Sequence, residues 1–212
     1  TLSEEMHDII ESLSKLCTVA IISGRDLKDV RNMVGIDSIY YAGSHGLDIA
    51  GPDHKKQVGV EALPALEKIE EEARKKSENW KGTRIERKEF VVAIHYRQAD
   101  EKTSEEVLKY AREVADENDE LKIVENKKVV ELRPDIPWNK GKAIDYLLDE
   151  LTENRDDALP IFIGDDVTDE DGFEFLIHKG IGIVTGDHGK PTYARYMLED
   201  TEEVRKFLFQ IS

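Results

Sequence analysis

Cysteine is scarce in this chain, and its scarcity limits both the chemistry and the compartment. Cys17 is the single cysteine among 212 residues, so no internal disulfide bond can form. Because Cys17 stands in an apolar run, the sequence predicts that its side chain is small and buried. The absence of a disulfide framework favours a reducing compartment, and we expect a cytoplasmic protein.

Long apolar runs and an excess of positive charge are also lacking. The chain has no run of about 18 apolar residues, so no membrane-spanning helix is predicted. The opening segment TLSEEMHDII lacks the basic and then apolar order of a secretion signal. The formal net charge of −16 at pH 7 leaves no basic surplus to neutralise phosphates. We therefore expect neither a nucleic acid nor a membrane as a partner.

The order of the apolar segments predicts an α/β fold. A helix capped by Ser3 is followed by the strand TVAIIS, by a helix that ends at Gly35, and by the strand IYYAG. The alternation returns after Pro137, where NKGKAIDYLLDEL predicts a helix and LPIFIG a buried strand. Such alternation is typical of a parallel sheet with helices on its faces. Residues 1–50 and 137–212 are thus predicted to form one core domain.

The middle of the chain has a different pattern. The strand-like segment RIERKEFVVAIHYR precedes a predicted helix over about Ser104–Glu117. In VENKKVV, two β-branched runs flank a polar turn, which predicts a hairpin. Residues 51–136 are therefore predicted to form a separate α+β domain, inserted into the core.

The segment IFIGDDVTDEDGF, residues 161–173, places five acidic side chains within seven residues after an apolar strand. Ligands bind at the carboxyl ends of strands in open parallel sheets. Asp165 and Asp169 are four residues apart, so both can face one point above the strand if a helix follows. Clustered carboxylate oxygens suit Mg²⁺. Glu170 and Asp171 instead fit the preference for negative charge at a helix N-terminus.

Five segments, in this order, resemble one family. They are AIISGRDLKDVRNMVG, YYAGSHGLDI, FVVAIHYRQAD, VVELRPDIPWNKGKA and GDDVTDEDGF. Together they resemble the haloacid dehalogenase (HAD) superfamily and, within it, the trehalose-6-phosphate phosphatases. The resemblance implies a Rossmann-like parallel core with an inserted α/β cap, and Mg²⁺-dependent hydrolysis of trehalose 6-phosphate to trehalose and phosphate. It also implies a trehalose-phosphate synthase as a separate or fused partner.

The sequence departs from this family at one motif. The family's first strand carries D-x-D-G-T, whose first aspartate becomes phosphorylated and whose second acts as general acid and base. These 212 residues contain no D-x-D-G-T, and TLSEEMHDI resembles the helix that follows that strand. We therefore expect a core that lacks its first strand, and a chain that is inactive without it.

The resemblance assigns roles at three motifs of the core. Lys140, in NKGKA, is expected to neutralise the phosphate and the nucleophile. Ser23, in IISGR, is expected to hold phosphate oxygens together with neighbouring backbone N–H groups. Asp165 is expected to bind Mg²⁺, and Asp169 to complete the metal site through a bound water or by orienting its ligands. Lys140, Ser23 and Asp165 are thus the expected catalytic residues.

Further residues are expected to contact the substrate. Core loops supply Arg25 and, from GSHG, His45 and Gly46. In the inserted domain the resemblance matches charged side chains to positions that hold sugar hydroxyls: Glu86, Lys88, Arg97 and Glu131. Strand alternation places Glu86 and Lys88 on one face of their strand.

Two alternatives stay open at this stage. The core motifs do not separate trehalose 6-phosphate from sucrose, glucosylglycerol or mannosylglycerate phosphates. The absent nucleophile motif is also compatible with a catalytically inactive binding or regulatory domain. A receiver-like signalling domain, which is also doubly wound and Mg²⁺-dependent, is disfavoured because it would not contain the inserted domain.

Overall fold

The computed structural model describes residues 2–152, 155–187 and 189–212. The chain divides into two compact units. The core unit comprises Thr1–Lys56 and Trp138–Ser212, and the inserted unit comprises Gln57–Pro137. Within the described ranges, no helix combines the length and apolar character that crossing a membrane requires.

The helices and strands alternate along most of the chain. In chain order they are α1 (Glu4–Leu13), β1 (Ala20–Ile22), α2 (Leu27–Val34), β2 (Tyr40–Gly43), β3 (Asp48–Ala50), β4 (Lys55–Gln57), α3 (Leu63–Ser77), β5 (Arg84–Lys88), β6 (Val91–His95), α4 (Glu101–Asp116), β7 (Leu121–Asn126), β8 (Val129–Pro134), α5 (Lys140–Leu151), β9 (Ile161–Gly164), α6 (Glu170–Leu176), β10 (Ile181–Thr185), β11 (Tyr196–Leu198) and α7 (Thr201–Ile211).

The core unit contains parallel strands in two sheets. One sheet has the order β1-β2-β3-β4, with β1 parallel to β2 and β2 antiparallel to β3. The other has the order β11-β10-β9, with all neighbours parallel. The predicted α/β fold with a parallel sheet is therefore confirmed. In these two sheets β1 and β9 are each a terminal strand.

Local sequence signals fix the first two helices. α1 begins after Ser3, whose hydroxyl oxygen accepts the N–H of Met6 at 3.3 Å, as an N-cap does. α2 ends at Gly35, which takes the left-handed conformation with φ 73°. Both ends lie where the sequence predicts them. The apolar faces of these helices pack on β2 in one cluster of buried side chains: Ile10, Val30, Ile36, Ile39 and Tyr41.

Cys17 is exposed, so the prediction of a buried cysteine is wrong. α1 ends at Leu13, and the chain then turns, so that the N–H of Cys17 donates to the carbonyl oxygen of Leu13 at 2.9 Å. Cys17 therefore lies in the turn after α1, and its side chain is not part of the buried face of that helix. An apolar neighbourhood in sequence does not bury a residue that lies between two elements.

The inserted unit is a four-stranded antiparallel sheet with two helices on one face. The strand order is β5-β6-β8-β7. α3 and α4 pack on the sheet through an apolar cluster that includes Leu66, Ile69, Val92, Ile94, Val107, Ala111 and Leu132. α4 begins at Glu101, three residues before the predicted start, because the carboxylate of Asp100 accepts the N–H of Thr103 at 2.8 Å.

In the core unit, α5 and α6 approach each other closely at a glycine. A Cβ atom at Gly141 would contact the backbone carbonyl oxygen of Asp171 and would lie 3.2 Å from the Cβ of Phe175. A side chain at this position would therefore separate the first turns of the two helices. Gly141 therefore allows the first turn of α5 to lie close to the start of α6.

We expect Gly141→Ala to lower the free energy of unfolding by at least about 1 kcal/mol, because the methyl group meets backbone that cannot rotate away. Urea unfolding followed by circular dichroism measures this change. Lys142→Ala, at an exposed position of the same helix, is the matched control and should change stability by less than about 0.5 kcal/mol. A Gly141→Ala chain as stable as the unmodified one would contradict the close contact.

Candidate functional site

The carboxyl ends of β1 and β9 line one cavity in the core unit. Its volume is about 250 Å³. The lining side chains come from the ends of strands and the start of one helix: Ile22, Ser23, Gly24, His45, Lys140, Ile163, Gly164, Asp165, Asp166, Thr168 and Asp169. A cluster at the carboxyl ends of parallel strands is where open α/β sheets bind ligands. The structure thus brings together Ser23, His45, Lys140, Asp165 and Asp169.

A buried ion pair joins Lys140 to Asp169. The Nζ of Lys140 donates to Oδ1 of Asp169 at 2.6 Å, and the two residues are 6% and 4% exposed. Lys140 is the first residue of α5, where the helix dipole disfavours a cation. The nearby carboxylate opposes this effect, and it supplies the counter-charge that a buried ammonium group requires.

The second oxygen of Asp169 organises the loop after β9. Oδ2 accepts the N–H groups of Asp165 and Asp166 at 3.0 and 2.9 Å. A Cβ atom at Gly164 would lie 2.6 Å from the Cβ of Asp169, so only glycine allows this approach. Both oxygens of Asp169 thus bond to protein donors. In this arrangement Asp169 orients the loop that carries Asp165, and Asp165 lines the cavity.

Ser23 and His45 come from the loops after β1 and β2. The Oγ of Ser23 accepts the N–H of Arg25 at 3.2 Å. The backbone carbonyl oxygen of Ser23 accepts the N–H of His45 at 2.8 Å. A Cβ atom at Gly24 would lie 2.7 Å from Cε1 of His45, so the imidazole packs directly on the glycine backbone. His45 has φ 60°, an uncommon conformation for a residue other than glycine. These contacts fix both side chains at the cavity.

Arg25 and Gly46 occupy other positions in the core unit. Neither belongs to the residues that line the cavity, and Arg25 is exposed. The carbonyl oxygen of Gly46 accepts the indole N–H of Trp138 at 2.8 Å. A Cβ atom at Gly46 would contact the Cβ of Ala143. Gly46 therefore packs the loop after β2 against α5.

The other expected sugar-binding residues lie in the inserted unit. Glu86 pairs with Ala93 across β5 and β6, and Ala93 pairs with Glu131 across β6 and β8. Residues that lie opposite each other in a sheet point to the same face, so Glu86 and Glu131 share one face. Lys88, two residues after Glu86, is on that face as well. Arg97 follows the end of β6 and is exposed.

Glu86 has two partners that the sequence did not indicate. The Nε2 of His95 and the Nη2 of Arg84 each lie 2.9 Å from Oε2 of Glu86. Partial burial alone would raise the pKa of Glu86, but the hydrogen bond with His95 and the charges of Lys88 and Arg84 outweigh it and lower the pKa. The register of β5 against β6 was the missing information, because it decides which side chains meet.

We expect Lys140→Met to lower the free energy of unfolding by about 3 kcal/mol, because Asp169 would stay buried without a cation. The double variant Lys140→Met/Asp169→Asn should cost less than the sum of the two single changes, since the residues interact directly. Lys142→Met, exposed on the same helix, is the control. An unchanged urea midpoint for Lys140→Met would show that the pair does not form.

Solved structures share this fold. A trehalose-6-phosphate phosphatase related protein superimposes with a TM-score of 0.79 and 24% identity, over 99% of this chain and 87% of that chain. A haloacid dehalogenase-like hydrolase from Bacteroides thetaiotaomicron superimposes with a TM-score of 0.69 and 13% identity, over 100% of this chain and 93% of the other. The HAD-like fold expected from the sequence is therefore confirmed.

Sequence comparison identifies the family. Trehalose-phosphate phosphatase B of Arabidopsis thaliana is 36% identical over an alignment 221 residues long, gaps included, which covers 98% of this chain and 59% of that protein. The chain thus spans about three fifths of the length of this curated relative. The family model described as trehalose-phosphatase matches residues 1–202. The chain belongs to the trehalose-phosphatase family.

Proposed function

We propose that this chain carries the phosphate-binding and sugar-binding groups of an Mg²⁺-dependent phosphatase that hydrolyses trehalose 6-phosphate to trehalose and phosphate. The observation that carries the proposal is the buried Lys140, which lies with Ser23 and Asp165 in one cavity at the carboxyl ends of β1 and β9. The name of the Arabidopsis relative supplies the substrate. We place the protein in the cytoplasm, with a trehalose-phosphate synthase as the source of its substrate.

Phosphate would bind between the ends of β1 and β9. The ammonium group of Lys140 supplies positive charge, and the hydroxyl of Ser23 supplies a hydrogen-bond donor at the same cavity. Phosphoryl transfer depends mainly on positioning and on neutralising the charge of the phosphoryl oxygens. Because Lys140 is held by Asp169 at 2.6 Å, its charge is already in place before substrate arrives.

The acidic loop has the donor set that Mg²⁺ prefers. Asp165 and Asp166 both line the cavity, and carboxylate oxygens are hard ligands that leave room for coordinated water. Asp165 would hold the ion, while Asp169 keeps the backbone of the loop in position. When bound, the ion would supply Lewis-acid chemistry at a phosphate oxygen. His45 would contact the ligand from the opposite loop.

The nucleophile requires a further strand. β1 and β9 each end a sheet, and both reach the same cavity through Ile22 and Ile163. We propose that a strand with the D-x-D-G-T sequence, which is absent from these 212 residues, fits between them. Its first aspartate would attack phosphorus, its second would protonate the leaving sugar oxygen, and water would then cleave the aspartyl-phosphate.

The inserted unit would read the sugar. Its outer sheet face presents Glu86, Lys88 and Glu131, which can accept from and donate to many sugar hydroxyls. Arg97, exposed in the same unit, would bind a further sugar hydroxyl, and Arg25 stays a proposed substrate contact within the core unit. In this proposal the inserted unit is the substrate-specificity cap of the enzyme, and it accounts for discrimination between sugar phosphates.

We expect Asp165→Asn to lower Mg²⁺-dependent phosphate release in the intact protein by more than about 100-fold, because the metal loses its charged ligand. Calorimetric titration with Mg²⁺ should show weaker binding to the chain with Asp165→Asn than to the unmodified chain. Glu174→Gln, exposed on α6, is the control and should match the unmodified protein. Unchanged activity with a retained circular dichroism spectrum would remove the metal assignment.

Substrate discrimination tests the role of the inserted unit. We expect Lys88→Ala and Glu131→Ala to reduce kcat/KM for trehalose 6-phosphate about tenfold or more, and kcat/KM for p-nitrophenyl phosphate by much less. The small ester has no disaccharide for these residues to hold. Lys102→Ala, on the exposed side of α4, is the control. Equal losses on both substrates would contradict a role of these residues in recognising the sugar. Activity on a panel of sugar phosphates that includes sucrose phosphate tests which sugar is recognised.

A further inference from the structure

We infer that His95 and Arg84 are positioning residues that hold the Glu86 carboxylate by one oxygen, so that the other oxygen faces a sugar hydroxyl. The inference rests on the proposed function, because it concerns how the inserted unit binds the sugar of the proposed substrate. Neither His95 nor Arg84 would itself contact the sugar. They would act by fixing the conformation and the charge of Glu86 before substrate binds.

Strand register brings the three side chains together. Arg84 lies opposite His95, and Glu86 lies opposite Ala93, in the antiparallel pair β5 and β6. Glu86 is therefore the diagonal neighbour of His95 on the same face, a separation that long side chains bridge. Arg84 precedes Glu86 by two residues and shares this face. The opposite face of the sheet packs on the apolar cluster beneath α3 and α4.

Both partners bind the same oxygen. The Nε2 of His95 and the Nη2 of Arg84 are each 2.9 Å from Oε2 of Glu86. Because an ionised carboxylate can only accept, the imidazole must donate its Nε2–H. Two donors on Oε2 restrict rotation of the carboxylate. Among the described residues neither of these donors binds Oε1, which leaves that oxygen as the available acceptor.

The arrangement favours a charged acceptor that is already ordered. Glu86 is ionised near neutral pH, as a glutamate with an ordinary pKa would be, and its lowered pKa extends the ionised range to more acidic pH. Hydrogen bonds to ionised groups are stronger than neutral ones. The side chain of Glu86 is 32% exposed, so a ligand can reach its carboxylate. A glutamate that is already held loses less rotamer freedom when a ligand binds.

Substitution of His95 in the intact protein tests this inference. We expect His95→Ala to raise KM for trehalose 6-phosphate about tenfold with kcat changed less than about twofold, the pattern of lost ground-state binding. His95→Gln should recover most of the loss, because its amide can donate to Oε2. KM for p-nitrophenyl phosphate should not change. Glu86→Gln combined with His95→Ala should be no worse than Glu86→Gln alone, since His95 acts through Glu86.

Two further measurements keep the test independent of folding and of activity. Arg112→Ala, which removes an exposed pair with Glu125 on the same sheet, is the matched control and should leave KM unchanged. NMR titration of the Glu86 carboxyl carbon should show its pKa rise in His95→Ala. An unchanged pKa, or additive effects in the double variant, would overturn the inference. If the unmodified protein did not hydrolyse trehalose 6-phosphate, the proposed function would fail while the titration still decided the contact.

Discussion

The buried ion pair between Lys140 and Asp169 constrains everything around it. Its 2.6 Å contact joins the start of α5 to the loop after β9. Removing either partner leaves an uncompensated charge in a dry environment, so the two elements cannot move apart without cost. The same carboxylate also bonds to two backbone N–H groups of the acidic loop. One side chain thus fixes the cation, the loop and the carboxylates that line the cavity.

Small residues make this arrangement possible. Gly141 allows α5 to approach α6, Gly164 admits the carboxylate of Asp169, and Gly24 admits the ring of His45. Each contact brings a charged or polar group close to backbone, where a methyl group would stand in the way. Interiors are packed too densely to absorb such a change without displacement. The glycines, which have no side chain, therefore contribute to the positions of the chemical groups of the site as much as the larger residues do.

The sequence predicted the alternation of helices and strands and the cluster of Asp165, Asp169 and Lys140 at strand and helix ends. Buried strands and capped helices leave strong local signals, and strand ends must meet at one edge of a sheet. The exposure of Cys17 was missed because the residue lies in the turn after α1. The short strand β11 was missed because its three residues, two exposed and one half-buried, carry no periodic pattern. The contact of His95 with Glu86 was missed because strand register is a property of the fold rather than of any one segment.

The two sheets of the core unit each stop at a strand, β1 and β9, whose outer edge carries backbone groups that no neighbouring strand of its own sheet pairs. Helix contacts such as that of α5 with α6, together with the ion pair of Lys140 and Asp169, couple the two sheets. How cooperatively the core unit unfolds therefore depends on how strongly these contacts link the two layers. A strand paired with both edges would link the two layers through backbone hydrogen bonds and make the unfolding of the core unit more cooperative.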